Sequence, residues 1–577
     1  MELKKELQLF IVLGILTVFS GVHCASARNF SGGSDETPFT VFEIADVVLT
    51  AEKSYEWFDF PVEATFIHSE TGNKIRLKGF WDGENNWVLR FSPTLAGEWV
   101  YSTESADSGL DKKEGKFFAE TPTPDQLAYN PNYHGRIEIS ENGRYFVYSD
   151  GTPFFLLGDT DWANNTLRCG LGEDGDGPFF QYLQDRKSKG FTTILMKFMR
   201  GTGDTQDIDC QENEGGFPFN TLAEKKLNPE FFKYLDLRMD EIWNAGLVTA
   251  MPAAWFGKRK CFMELEWAKR LVAYLMTRYG AYSGLFAAGG EYQYAFRDCG
   301  WDFDSYNQIG EVAQRHNSYN KPISLHPSSN ITRFPENHNT QSSRAYHNSS
   351  WLDHNWIQSG QRVTELFNAA GRSLELYALT PVKPVFLSEG YYERYMDTLH
   401  VYHSRWQPWS ALLNGSAGYG YGAWGVWQFS DPFHPVEKMT DFSLPWWEAI
   451  AYGGGSQMEY VRRFFDKYEW WKLVPGRHFL RVNGDENILP TDIDITPPHM
   501  ALIPGELYVC YIPRENSSNA IEITEIQYGK YKGCWYNPRS GVFINLDTEE
   551  IKEPEFALPD RPAPEDEDWV FVLQLVQ

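Results

Sequence analysis

The stretch SGLFAAGGEYQY (283–294) decides the fold. Four apolar residues follow Gly284, two glycines break the run, and Glu291 stands immediately beyond them. A short strand covered on both faces reads this way, and here it would deliver a carboxylate at its C-terminal end. The pattern recurs in KPVFLSEGYYE (383–393), which carries Glu389. It recurs again in FFLLGDTDW (154–162), TTILMKFMRG (192–201), LVTAMPAAWFG (247–257), KPISLHPSS (321–329), SSWLDHNWIQSG (349–360) and GAWGVWQFSD (422–431). Amphipathic stretches lie between these runs. After Pro229, Phe231, Leu235, Met239 and Ile242 share one side and Gly246 ends the pattern; Leu265, Ala268, Val272, Leu275 and Tyr279 do the same before Gly280. Eight runs alternating with helices predict a (β/α)8 TIM barrel over 135–480. The sixth run is the weakest, being polar and short for a buried parallel strand.

The pattern changes on both sides of the barrel. Over 37–122, runs such as FDFPVEATFIH and GEWVYSTE alternate with period two between Gly and Pro breakers and predict an N-terminal antiparallel β-sandwich. A second such sandwich is expected over 485–577, ending in the alternating run Trp569 to Val576. The fold class is therefore multidomain, a barrel flanked by two β-sandwiches. Residues 1–27 read as a signal peptide, with Lys4 and Lys5 before an apolar run from Leu9 to Val22 and then Ala25-Ser26-Ala27. A secreted or periplasmic location follows, with acylation at Cys24 as the alternative. No later stretch is long and apolar enough to span a bilayer. Six cysteines then remain, an even number that suits an oxidising compartment. Their places favour Cys510–Cys534, with Cys169, Cys210, Cys261 and Cys299 paired among themselves. The 52 basic and 78 acidic residues leave a net charge of −26, which excludes phosphate-neutralising nucleic-acid binding.

Chemistry belongs at strand C-termini in such a barrel, where Asp159, Arg200, Trp255, Glu291, His326, Gln358, Glu389 and Trp427 fall. Two carboxyl groups from the fourth and seventh strands can face each other across the mouth. Retaining glycoside hydrolysis requires that, at a separation of about 5–5.5 Å. Glu291 is the expected acid/base and Glu389 the expected nucleophile, with Glu393 in reserve.

GDTDW (158–162), GGEY (289–292), HPS (326–328), WLDHNWIQSG (351–360) and SEGYYE (388–393), in that order, resemble the apiosidase-like glycoside hydrolases of clan A. That resemblance implies an acid/base after the fourth strand and a nucleophile after the seventh. YVCYIPREN, CWYNPRSG and DWVFVLQL look like the sandwich appended to that family and named for collagen binding; FWDG and FSPTLAGEWVY resemble the sandwich that often precedes such barrels. Two departures stand out. Glu291 replaces the Asp usual in the family, and Gly290 stands where many clan A enzymes carry Asn, so another group must meet the sugar 2-hydroxyl.

Asp159 and Trp162 are expected to bind substrate, as a hydroxyl acceptor beside a stacking face. His326 is expected to hold substrate or orient Glu389, with Gln358, Tyr391 and Trp427 as further contacts. By strand parity at most one of Trp424 and Trp427 should face the mouth. Lys197, Arg200, Lys258, Arg259 and Lys260 either meet an anionic sugar or are solvated loop charges. No cofactor or metal is expected, because the acidic loops at 172–177 and 204–214 lack the EF-hand order. The partner is a polysaccharide or oligosaccharide, and oligomeric state is not legible. The competing reading is a non-catalytic glycan- or matrix-binding protein on a barrel scaffold. Collagenase activity would need a zinc motif such as HExxH, which is absent from the sequence.

Overall fold

Alternating burial builds the N-terminal unit in the computed structural model, which describes residues 28–29, 38–199, 212–221, 223–257, 261–329, 341–362, 365, 368–398, 400–433, 443–485, 497–516, 520–564 and 566–576. The signal segment, Cys24, Arg200, Cys210 and Lys258 to Lys260 lie outside the described residues. Val62, Ala64, Phe66 and His68 point inward from strand Val62–His68, and Phe66 stacks on Phe91 of the facing sheet at 4.1 Å. Five-stranded and four-stranded sheets close over this core.

The barrel strands are β1 (Leu156–Thr160), β2 (Thr193–Leu195), β3 (Val248–Pro252), β4 (Gly284–Ala287), β5 (Ile323–Ser324), β6 (Asn355–Gln358), β7 (Val385–Glu389) and β8 (Gly418–Ala423). They pair in parallel in the order 5-4-3-2-1-8-7-6. The seam between β5 and β6 is bridged outside the ladder: Asp353 N–H donates to Ile323 O (2.8 Å) and Ser324 Oγ–H to His354 O (2.7 Å). The eighth run is corrected, because β8 is formed by GYGYGA (418–423) and the two tryptophans follow it in a turn. Glycines at 418, 420 and 422 conceal a strand in the sequence, yet a side chain at each would collide with the neighbouring strand or ring.

The helices that matter below are α1 (Pro178–Ser188), α2 (Pro229–Asn244), α3 (Leu265–Tyr279), α4 (Phe303–Arg315), α5 (Asn368–Tyr377), α6 (Val401–Leu412) and α7 (Gly453–Asp466). In α2 the expected face, Phe231, Leu235, Met239 and Ile242, is buried. Gly246 follows α2 at φ +76°, the left-handed C′ position that glycine favours, whereas Gly280 after α3 keeps a helical φ of −61°. None of the described helices is long and apolar enough to cross a membrane.

Buried ion pairs fasten both flanks to the barrel. Arg90 of the N-terminal unit pairs with Asp46 (2.7 Å) and with Asp236 of α2 (2.8 Å), which also holds Arg278 of α3 (2.7 Å). Arg405 of α6 grips Asp568 of the C-terminal unit through two bonds (2.8 and 2.6 Å). That unit is a six-stranded sheet against a three-stranded one, and its outer face lays Tyr511 on Trp409 of α6, stacked at 5.8 Å.

The expected Cys510–Cys534 bridge does not form. Both strands pair with the same central strand, Cys510 opposite Phe571 and Cys534 opposite Val572. The thiols therefore stand one strand apart on opposite faces, beyond disulfide reach. Among the described residues Cys261 and Cys299 are bridged, while Cys169, Cys510 and Cys534 are buried thiols.

Candidate active site

Inward-facing positions of the barrel are Leu156, Leu195, Val248, Ala250, Leu285, Ala287, Trp356 and Phe386, packed as one core. Counting in twos from Ala287 reaches Glu291, which is only 7% exposed. Its backbone is left-handed (φ +38°), a conformation costing about 1–3 kcal/mol that is tolerated where surroundings enforce it. Trp255, just past β3, enforces it here. Its indole N–H donates to Glu291 Oε2 (2.9 Å), and its ring lies where a Cβ on residue 290 would be 2.5 Å away. Gly290 is therefore required by Trp255, and no Asn fits this backbone. The Cys261–Cys299 disulfide ties the segment after β3 to the one after β4, and thus braces both residues.

Glu389 reaches the interior by a different route. Parity from Phe386 would turn Ser388 inward and Glu389 toward the helices. A β-bulge reverses this, because Ile357 pairs with Leu387 but Gln358 pairs with Glu389. Bulges re-aim side chains in this way beside active sites. Glu389 is 5% exposed and accepts from the Tyr392 hydroxyl at Oε1 (2.6 Å). Tyr392 in turn accepts from the Trp162 indole N–H (2.9 Å) and stacks on Trp427 at 5.4 Å. Burial first, then the neighbouring Glu389 and Glu291 carboxylates, hold the Tyr392 phenol well above its ordinary pKa, so it stays a donor.

His326 follows β5 and is fully buried. Its Nδ1 donates to Pro327 O (2.8 Å), since a carbonyl can only accept, and its Nε2 lies 3.0 Å from Glu389 Oε2, off the direction of a hydrogen bond. The rings of Trp162 and Trp255 meet at 5.0 Å, and both flank His326 at 5.5 and 5.7 Å. The structure thus brings Glu291, Glu389, His326, Trp162 and Trp427 into one cluster. Gln358 joins it beside Glu389, with its buried Oε1 lacking a hydrogen-bond partner among the described residues. Trp424 and Trp427 sit together at 5.8 Å, because parity does not extend into a turn. Lys197 lies beside the same cluster, its Nζ 5.8 Å from the Trp255 ring.

Three carboxylate and tyrosine expectations are corrected. Asp159 alternates outward with Leu157, is fully buried, and accepts from Arg186 Nε (2.8 Å) and the Tyr182 hydroxyl (2.7 Å) of α1. It anchors a helix and cannot reach a sugar. Glu393 accepts from Gly454 and Gly455 N–H (3.0 and 3.2 Å), capping the start of α7. Tyr391 points into the helix layer, and the tyrosine at the site is its neighbour Tyr392. The doublet Tyr391-Tyr392 was a visible signal, but which member turned inward depended on the bulge. Among the described residues no group of three His, Cys, Asp or Glu side chains is placed to hold a metal.

The apiosidase-like catalytic domain model matches residues 140–472, more than half of the chain. A domain of unknown function matches 39–106, and the "Putative collagen-binding domain of a collagenase" matches 499–574. No curated protein matches in sequence. Among solved structures, a glycoside hydrolase family 5 protein from Bacteroides vulgatus is 20% identical with a TM-score of 0.62, over 77% of this chain and 94% of that one. A "putative glycoside hydrolase" from the same organism is 17% identical with a TM-score of 0.65, over 94% of this chain and 100% of that one. These likenesses show the shared fold. The chain belongs to the apiosidase-like family and is a glycoside hydrolase.

Proposed function

We propose that this enzyme retains anomeric configuration by double displacement, with Glu291 as acid/base and Glu389 as nucleophile. The observation that carries the reading is one aromatic cluster in which carboxylates from β4 and β7 are each oriented by a neutral donor, Trp255 and Tyr392. In the first step Glu291 protonates the glycosidic oxygen as the bond to the anomeric carbon breaks, and Glu389 attacks that carbon to form an ester. In the second, water attacks the same carbon, Glu291 takes its proton, and Glu389 leaves as carboxylate. The substrate is a plant or algal polysaccharide or its oligosaccharides, with Trp162 and Trp427 presenting ring surface and His326 packed against Trp162 and Trp255 beside Glu389. Gln358 offers its Oε1 to a sugar hydroxyl, which answers the missing Asn at position 290.

Secretion or export to the periplasm fits the signal-like N-terminus and the Cys261–Cys299 disulfide. Unit boundaries at 37–122, 135–480 and 485–577 accommodate all three family matches. The test is Glu291→Ala, assayed on aryl glycosides with good leaving groups and on the natural glycan. Turnover should survive on the activated substrates and collapse on the natural one, and azide should restore rate. Equal loss on both would remove Glu291 from the acid role. If Glu389→Gln bound glycan while the wild type turned over no member of a broad substrate panel, the protein would be a binder on a barrel scaffold.

A further inference from the structure

The segments after β3 and β4, which carry Trp255 and Glu291, meet at both ends and in the middle. At the mouth end Gly290 N–H donates to Ala254 O (2.9 Å), and the Trp255 indole N–H donates to Glu291 Oε2 (2.9 Å). In the middle the two backbones touch, since a Cβ on residue 257 would lie 2.3 Å from the carbonyl carbon of Tyr294, so only glycine fits there. The rings of Phe256 and Trp301 meet beside that contact at 5.3 Å. At the far end the Cys261–Cys299 disulfide closes the circuit covalently.

Each segment carries the staple back to the site. Tyr294 N–H donates to Glu291 O (2.9 Å) where the short helix Gln293–Asp298 begins, and Cys299 N–H donates to Ala295 O (2.9 Å) where it ends. On the other side Phe262, next to Cys261, donates its N–H to the carbonyl of Phe256 (2.8 Å), next to Trp255. Glu291 itself holds a left-handed φ of +38°, which a residue with a side chain leaves when its surroundings release it. Glu389 is held from elsewhere, through Tyr392 after β7, Trp162 after β1 and Trp427 after β8.

We propose that the Cys261–Cys299 disulfide is a redox control on the general acid. Oxidised, it holds Glu291 against Trp255; reduced, it lets Glu291 leave the position from which it protonates the glycosidic oxygen. This rests on Glu291 being the acid/base. The reductant is a dithiol, which passes two electrons and two protons to the disulfide, leaves two cysteine thiols and itself becomes a disulfide. Cys261 and Cys299 are half-buried and within reach of such a reagent, whereas Cys169, Cys510 and Cys534 are buried thiols with no bond to reduce. The chain thus has its acid in place only in oxidising surroundings.

The test compares the full chain with and without dithiothreitol on the 2,4-dinitrophenyl, 4-nitrophenyl and phenyl glycosides of the sugar it cleaves. The readout is kcat/KM, which reports the first displacement. A misplaced acid is felt only where the departing group needs a proton. Reduction should therefore lower kcat/KM by about tenfold or more on the phenyl glycoside and by less than about threefold on the dinitrophenyl one, which also shows that the reduced chain is folded. Reoxidation with glutathione disulfide should restore the rate. Cys261→Ser combined with Cys299→Ser should reproduce the reduced enzyme and ignore dithiothreitol. Hydrogen exchange needs no substrate: on reduction it should quicken over 253–257 and 289–299 and stay unchanged over 385–393. Exchange that does not quicken, or a loss of rate that is absent or equal for all three leaving groups, overturns the proposal. The same series on Glu291→Ala separates the two readings. If its loss ignores the leaving group, the acid assignment fails and the redox control of an acid falls with it; if its loss grows as the leaving group worsens while reduction changes nothing, the redox control alone fails.

Discussion

Carboxylates at the mouth and carboxylates that clamp elements together are almost equally buried, yet they meet different partners. Asp159, Asp236 and Asp568 are each met by arginine: Arg186, the pair Arg90 and Arg278, and Arg405. Glu291 and Glu389 receive Trp255 and Tyr392. A buried arginine joins two elements; at Asp236 burial is outweighed by the charges of Arg278 and Arg90, which hold the pKa low (about 2), whereas at Asp159 burial outweighs Arg186 and raises it. A neutral donor fixes direction without bringing a charge of its own. Burial alone therefore does not separate the clamps from the proposed catalytic pair.

The largest break in this comparison comes from Glu389→Gln, which keeps shape and removes the proposed nucleophile. Turnover should fall by on the order of 10⁴-fold or more while the melting temperature barely moves. Arg405→Ala should do the converse. It removes two bonds from fully buried Asp568, which keeps Arg539 (3.2 Å) and the Tyr511 hydroxyl (2.9 Å), and should cost up to about 3 kcal/mol in urea unfolding while the folded fraction keeps its kcat. Tyr392→Phe is intermediate. It keeps the stack on Trp427 but loses the bond to Glu389, worth about 1.5–3 kcal/mol for a charged acceptor, so kcat should drop by about 10- to 150-fold. A rate within twofold of wild type would show that Tyr392 does not orient the nucleophile.

Lys321 sharpens the contrast through the pH dependence of stability. Its ammonium is buried on Tyr279 O (2.9 Å), and burial, with Arg136 adding to it, pulls its pKa down to about 7 from 10.5. Between those values the unfolded chain binds the proton and the folded one does not, so this residue makes stability rise with pH from about 7 to about 10.5. Below pH 7 its cost is present in full. Lys321→Met should flatten that part of the stability–pH curve, and an unchanged slope would mean that the amine stays charged when buried.

The barrel was legible because eight apolar runs and intervening amphipathic faces are dictated by burial on both sides of each strand. β8 was displaced in the reading because GYGYGA carries little apolar signal, and its glycines answer to neighbours that only the fold supplies. Glu291 and Glu389 were legible as polar residues ending strands. Asp159 was misread although parity with Leu157 already turned it outward. Tyr392 was missed for a different reason, since the bulge at Ser388 resets parity and leaves no mark in the sequence. The failed Cys510–Cys534 pairing has the same cause as Asp159: proximity in the chain says nothing about which face of a sheet a side chain takes.

The central claim, that Glu389 is the nucleophile, is tested most directly by trapping the enzyme with a 2-deoxy-2-fluoro aryl glycoside of the sugar it cleaves and mapping the adduct by peptide mass spectrometry. The account predicts one glycosyl ester, on Glu389, absent from Glu389→Gln. An adduct on Glu291 or Glu393, or inverted product with no adduct from a substrate that turns over, would contradict it.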